Sequence, residues 1–128
     1  MKRDIRIHSN AYETPLKTAA IVDMTDAVFH AAWASKADDG DVSSFRLDLD
    51  RSSGVVTLIR TGSVSSRLIF DTSKETEGTV GTPFGTFDVR IRTDYINMPS
   101  LMDNCFTISY TLFTGEQGEG NLFKIELL

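Results

Sequence analysis

Cysteine and histidine are scarce in this sequence, and their scarcity excludes several kinds of site. Among 128 residues only Cys105 is a cysteine, so the chain cannot form an internal disulfide. The two histidines, His8 and His30, have no second ligand at metal-binding spacing, and we predict no metal site. The glycine-rich run at 115–120 has no lysine and leads into a predicted strand instead of a helix, so it predicts no phosphate-bearing cofactor.

Long apolar runs are absent as well. No stretch of about 18 consecutive apolar residues occurs, so we predict no membrane-spanning helix. Residues 1–15 have no apolar core of about seven residues and therefore show no signal peptide, which makes the cytoplasm the expected compartment. The net charge is −5, and because an acidic surface repels phosphates we expect no nucleic-acid partner.

Patterns of catalytic residues are missing too. The sequence has no Gly-x-Ser-x-Gly nucleophile turn, and Cys105 has no histidine at a spacing typical of a thiol nucleophile. Asp48 and Asp50 share one strand face with Arg46, on its wet side, which is not the setting of an acid–base pair. We therefore predict no catalytic residues and a protein that is not an enzyme.

The clearest pattern that is present lies around Thr82-Pro83-Phe84-Gly85. A rigid Thr-Pro step and one glycine lead into a segment in which apolar and polar residues alternate strictly. This period of two predicts a strand with one dry and one wet face. The dry face carries Phe87, Val89, Ile91 and Thr93, and the wet face carries Thr86, Asp88, Arg90 and Arg92.

Similar short alternating runs recur along the whole chain and predict an all-β domain over residues 1–128. The predicted strands cover residues 3–9, 18–24, 27–35, 43–50, 55–61, 65–71, 84–93 and 105–113, and a last strand carries Phe123, Ile125 and Leu127. About eight to ten antiparallel strands with one apolar face must close on themselves or form two layers, and closure also removes exposed edges. We therefore predict a single antiparallel β-barrel rather than a sandwich.

Four segments are less clear in the sequence. The polar residues 71–78 are predicted to connect two strands, residues 97–104 to form a loop, and residues 115–120 to form a hairpin loop. The alanine-rich residues 16–32 leave a helix open as an alternative to strands.

Several spacings together point to a known family. Val56-Thr57-Leu58-Ile59-Arg60-Thr61-Gly62 precedes a strand that ends in Leu68-Ile69-Phe70, and Gly81-Thr82-Pro83-Phe84-Gly85 follows. The alternating Phe106-Thr107-Ile108-Ser109-Tyr110-Thr111-Leu112 and the final Asn121-Leu122-Phe123-Lys124-Ile125 complete the pattern. Over residues 54–127 the chain resembles the YwiB-like family, small bacterial β-barrels described as a domain of unknown function. The resemblance implies a barrel similar to the calycins, the group of lipocalins and fatty-acid-binding proteins, but it implies no function.

Arg60 is the first candidate for binding a ligand. It lies two and four residues after Leu58 and Val56, so strand parity places its guanidinium on their face. An inward arginine could hold a ligand carboxylate through two hydrogen bonds, and the calycin resemblance implies that use of interior arginines. The alternative is an arginine that extends to solvent or pairs with a structural carboxylate, because Val55 and Ile59 make the opposite face almost as apolar.

Trp33 and Tyr110 are the other candidate ligand-binding residues, although aromatic residues at this spacing also fill cores. Two functions follow. The first is a barrel that binds a small apolar or carboxylate-bearing ligand in a cavity of roughly 300 Å³ or more. The second is a protein-interaction or structural module with a filled barrel, for which a homodimer is one partner to consider.

Overall fold

The computed structural model describes residues 1–10, 14–36, 39–99 and 104–128 of the chain. These residues form ten antiparallel strands and no helix. The strands are β1 (Lys2–Ser9), β2 (Leu16–Met24), β3 (Val28–Lys36), β4 (Val42–Asp50), β5 (Val56–Thr61), β6 (Ser65–Phe70), β7 (Thr76–Thr82), β8 (Gly85–Asn97), β9 (Cys105–Thr114) and β10 (Gln117–Leu127). The alanine-rich segment is therefore β2 and β3, because strand pairing overrides a weak preference for helix.

Each strand pairs with the next one along the chain, and β10 pairs with β1 to close the ring. Ile7 stands opposite Ile125 in the closing pair, which fixes the register of the two terminal strands. The predicted all-β antiparallel barrel is thus confirmed, with a strand number at the top of the predicted range. A closed ring leaves no unpaired edge that could join another sheet.

The two ends of the barrel differ. At one end, which we call the closed end, Phe29, Phe70 and Phe106 are fully buried, and the rings of Phe29 and Phe106 stack with centroids 5.6 Å apart. At the other end, which we call the open end, the buried Trp33 and the partly buried Phe45, Tyr110 and Phe123 border a cavity. The turns of β5–β6, β7–β8 and β9–β10 lie at this open end.

β7 was not predicted from the sequence. Residues 71–78 were expected to be a polar connection, but Thr76 already begins a strand that pairs with β8. The reason is that β7 has almost no apolar side chains: its inward positions include Gly78, which stands opposite Val89. A glycine allows Leu68 of β6 and Ile91 of β8 to approach across it, so neighbouring strands supply the buried apolar surface.

β8 is longer than predicted because a bulge changes its parity. Val89, Ile91 and Thr93 face inward, and the register with β9 then shifts between Thr93 and Tyr95. The extra residue at the bulge turns Ile96 toward the core. β8 therefore continues to Asn97, with even-numbered residues facing inward after the bulge where odd-numbered residues do so before it. Of the predicted loop at 97–104, residues 100–103 lie outside the described residues.

Two turns at the open end also differ from expectation. The predicted hairpin loop at 115–120 is only a two-residue turn, in which Gly115 has a φ of 65°, and β10 begins at Gln117. The turn between β7 and β8 leaves Phe84 almost fully exposed. Phe87 has inward parity as predicted, but it is 44% exposed because this hairpin extends beyond the rest of the barrel.

Candidate ligand-binding pocket

A cavity of about 180 Å³ opens at the open end of the barrel, and we call it the Arg60 pocket. It brings together all three residues that the sequence proposed as ligand-binding. Its lining consists of Ile7, Ser9, Trp33, Phe45, Leu58, Arg60, Ser66, Tyr110 and Phe123. The cavity is smaller than the roughly 300 Å³ expected, because large aromatic side chains occupy much of this layer of the barrel.

Strand parity places Arg60 in this pocket. In β5 the inward positions are Val56, Leu58 and Arg60, whereas Ile59 faces outward. Arg60 stands opposite Phe45 of β4 and Ser66 of β6, which also line the pocket. Arg60 therefore has inward parity and lines the pocket, while its side chain stays partly exposed.

The guanidinium of Arg60 has few partners. Its Nη2 donates a hydrogen bond to Ser43 Oγ at 3.3 Å, and its Cζ lies 5.3 Å from the centre of the Phe45 ring. Its Nε is buried and has no hydrogen-bond partner among the described residues. No carboxylate of the described residues lies within ion-pair distance of Arg60.

Three aromatic rings form one wall of the pocket. Trp33 and Phe45 stack with centroids 5.3 Å apart and an interplanar angle of 6°. Phe123 lies on the other side of Trp33, at 6.3 Å and 21°. Trp33 is only 6% exposed, so this wall is rigid and apolar, and it ends at the guanidinium that covers Phe45.

Tyr110 lies across the pocket on β9. Its ring packs edge-on against Phe70, with centroids 4.8 Å apart. Burial raises the pKa of the Tyr110 phenol above its usual value of 10.0, and the charge of Glu119 adds to the rise. Its hydroxyl makes no hydrogen bond with any residue that the structure describes, so the pocket holds a neutral polar group at physiological pH.

The raised pKa of Tyr110 predicts a loss of stability at high pH. Unfolding lets the phenol ionise at its ordinary pKa, so the stabilisation is complete below about pH 10 and is lost as the pH rises through the folded-state value. We expect Tyr110→Phe to reduce the fall in the free energy of unfolding above pH 10. Denaturant titrations at neutral and alkaline pH measure this. Tyr95→Phe is the control, because Tyr95 is 51% exposed, and an equal effect of both substitutions would contradict the prediction.

One polar cluster on the outer surface was missed by the sequence analysis. His30 Nδ1 contacts Asp48, and Arg46 Nε donates to Asp48 at 2.7 Å. His30 and Asp48 stand directly opposite each other on β3 and β4, so only the register between the two strands could have revealed the contact. The cluster borders two larger hollows of about 380 and 250 Å³, but these are open depressions between side chains on the outer face of the sheet.

Arg90 and Arg92 lie on the exposed outer face, as the alternation predicted. Arg90 pairs with Glu75 at 2.9 Å and Arg92 approaches Asp94 at 3.7 Å. Both guanidinium groups also cover the ring of Phe113, at 5.1 and 5.6 Å. Such exposed pairs contribute under about 1 kcal/mol each, and nothing in this cluster suggests a site.

The described residues offer neither a cluster of metal ligands nor a membrane-spanning helix. They contain no group of three or more His, Cys, Asp or Glu side chains arranged to hold a metal ion. Within the same ranges no helix is long and apolar enough to cross a membrane.

Comparisons with known proteins agree with the fold. The crystal structure of the YwiB protein from Bacillus subtilis matches 98% of this chain and 91% of its own, with a TM-score of 0.70 and 15% sequence identity. No curated protein matches the sequence. The profile of a family described as a domain of unknown function, DUF1934, matches residues 33–126, which is most of the chain. The closed barrel and this match together show that the chain belongs to the DUF1934 family, in which the YwiB-like resemblance of its sequence placed it.

Proposed function

We propose that this protein binds a small carboxylate-bearing molecule in the Arg60 pocket. One observation carries the proposal: the partly buried Arg60 lines the pocket, its Nε is buried without a partner, and no described carboxylate lies within ion-pair distance of it. Removing a charged group from water costs free energy unless a partner compensates for it. A ligand carboxylate would compensate by accepting hydrogen bonds from the guanidinium.

Pocket size and lining define the ligand further. A volume of about 180 Å³ equals that of about six water molecules, which excludes drug-sized compounds. The wall of Trp33, Phe45 and Phe123 favours an apolar body next to the carboxylate. The proposed ligand is therefore a short aliphatic or aromatic acid, a class that also fits the calycin-like resemblance of the sequence, since calycins include fatty-acid-binding proteins.

Binding without catalysis is part of the proposal. Of the residues that the structure describes, the pocket lining contains Ser9, Ser66 and Tyr110 as hydroxyl groups, but no His, Asp, Glu or Lys that could activate them. The acidic composition and the single cysteine support a cytoplasmic protein that does not use nucleic acid or a membrane as its partner.

Fluorescence of Trp33 tests the proposal, because this is the only tryptophan in the sequence and it lines the pocket. We expect caproate to change the emission saturably, since its carboxylate reaches Arg60 while its chain covers the aromatic wall. Caproamide, which has the same shape and no charge, should bind at least about tenfold more weakly. Equal effects of both compounds, or no saturable effect of caproate, would contradict the proposal.

A second candidate function is an interaction module with a filled barrel. It is favoured by the fully packed closed end and by an outer face on which Ile21 is 52% exposed beside Ala32 and Ala34. The partner that this candidate predicts is a second copy of the chain. A protein that ignores caproate but is dimeric by light scattering would favour this candidate over ligand binding.

A further inference from the structure

A second charge, Glu119, lies at the open end of the barrel, on an exposed side chain with inward strand parity. Glu119 belongs to β10 and stands opposite Leu112 of β9, whose side chain packs against the core. The inward face of β9 and β10 therefore continues from Tyr110 and Phe123 in the Arg60 pocket to Leu112 and Glu119 nearer the mouth.

A second cavity of about 310 Å³ lies at this level. It is lined by Leu112, Thr114, Gln117, Gly118 and Glu119, and two residues along β9, about 7 Å, separate Leu112 from Tyr110 in the first cavity. The charge of Glu119 is also close enough to raise the pKa of the Tyr110 phenol, after the larger effect of burial. The carboxylate thus acts on a residue that lines the Arg60 pocket.

The ring order of the strands places Glu119 and Arg60 on opposite sides of the lumen. β5 and β10 are separated by five steps in either direction around the closed ring of ten strands. Among the described residues neither Arg60 nor Glu119 has an ion-pair partner. The barrel therefore keeps an unpaired cation and an unpaired anion apart at one mouth, with an aromatic wall beside the cation.

We propose that the ligand of the Arg60 pocket is a zwitterion, whose carboxylate binds Arg60 and whose ammonium group binds Glu119. The inference rests on the proposed function and narrows it to one class, the amino carboxylates with an apolar spacer between the two charges. Two complementary charges on opposite sides of one mouth select for ligand length as well as charge, because a compound that is too short reaches only one of them.

The test compares caproate with ε-aminocaproate, which adds one ammonium group at the far end of the same chain. We expect ε-aminocaproate to bind wild-type protein about fivefold more tightly, the effect of one partly exposed ion pair of about 1 kcal/mol. Glu119→Gln should remove this difference, because the neutral amide cannot form an ion pair with the ammonium group. Glu116→Gln is the matched control, because Glu116 lies in the turn of the same hairpin and should leave the difference intact.

Each outcome separates this inference from the proposed function. If caproate binds and ε-aminocaproate binds no better, the zwitterion is wrong while carboxylate binding stands. If Glu119→Gln leaves the fivefold preference unchanged, Glu119 is not the group that recognises the ammonium and the inference is overturned. If neither compound binds, the proposed function fails, and the inference fails with it.

Discussion

Replacing Arg60 with methionine should weaken caproate binding by about thirtyfold to a hundredfold while the barrel remains folded. Hydrogen bonds to a charged group contribute about 1.5–3 kcal/mol each, and among the described residues the guanidinium is the only cationic group that lines the pocket. Methionine retains most of the length and the apolar stem of the side chain, so the aromatic wall remains packed against an apolar group. Titration of Trp33 fluorescence measures the affinity of both proteins.

Stability is expected to respond very differently to the same substitution. Methionine loses the contact between the guanidinium and Phe45, which contributes about 0.5–1 kcal/mol, and it also removes a buried Nε without a partner. These effects oppose each other, so the free energy of unfolding should stay within about 1 kcal/mol of the wild-type value. An arginine retained for binding rather than for folding has this combination of effects.

Two further variants make the Arg60 result specific. Arg67→Met is the matched control. Arg67 lies on the neighbouring strand β6, with its side chain exposed outside the barrel, so this substitution should leave caproate binding unchanged. Arg60→Lys should bind with intermediate affinity, since lysine keeps the charge but not the planar pair of donors. If Arg60→Met bound caproate as tightly as the wild type, the carboxylate would have to lie elsewhere.

Much of this barrel could be predicted because alternation survives in most of its strands. Phe45, Leu47 and Leu49, for example, are separated by polar residues, so their common face is visible without any knowledge of neighbours. The position of Arg60 followed from the same rule, through Val56 and Leu58. Closure of the sheet followed from the number of strands and the need to bury one face.

What could not be predicted depends on pairings between distant strands. The parity change in β8 needs a bulge that the sequence does not mark, and β7 has no apolar alternation of its own. The position of Glu119 across from Arg60 becomes visible only when the order of the closed ring is known. The volume of the pocket depends on the side-chain conformations of Trp33 and Phe45, which a pattern of residue types does not contain.

β7 also provides the strongest prediction about stability, at Gly78. A Cβ atom built there would lie 2.7 Å from the backbone oxygen of Arg67 and 3.0 Å from Leu68 Cδ2. The first of these atoms is backbone in the neighbouring strand β6 and cannot move without disturbing the β6–β7 pairing. Gly78→Val should therefore destabilise the barrel by about 3 kcal/mol, because the added side chain overlaps the backbone of β6 and forces β6 and β7 apart.

Gly120→Val distinguishes this close approach from a general effect of adding a side chain to a strand. Gly120 also lies inside a strand, β10, but nothing lies within 4 Å of a Cβ built there. Valine has a higher strand propensity than glycine, so this control should be as stable as the wild type or more stable. Thermal unfolding of the three proteins should show a midpoint roughly 10 °C lower for Gly78→Val alone. Equal midpoints for the two variants would contradict the prediction. They would mean that β6 and β7 can move apart at little cost, and that the packing of Leu68 and Ile91 across Gly78 does not hold β7 in the barrel.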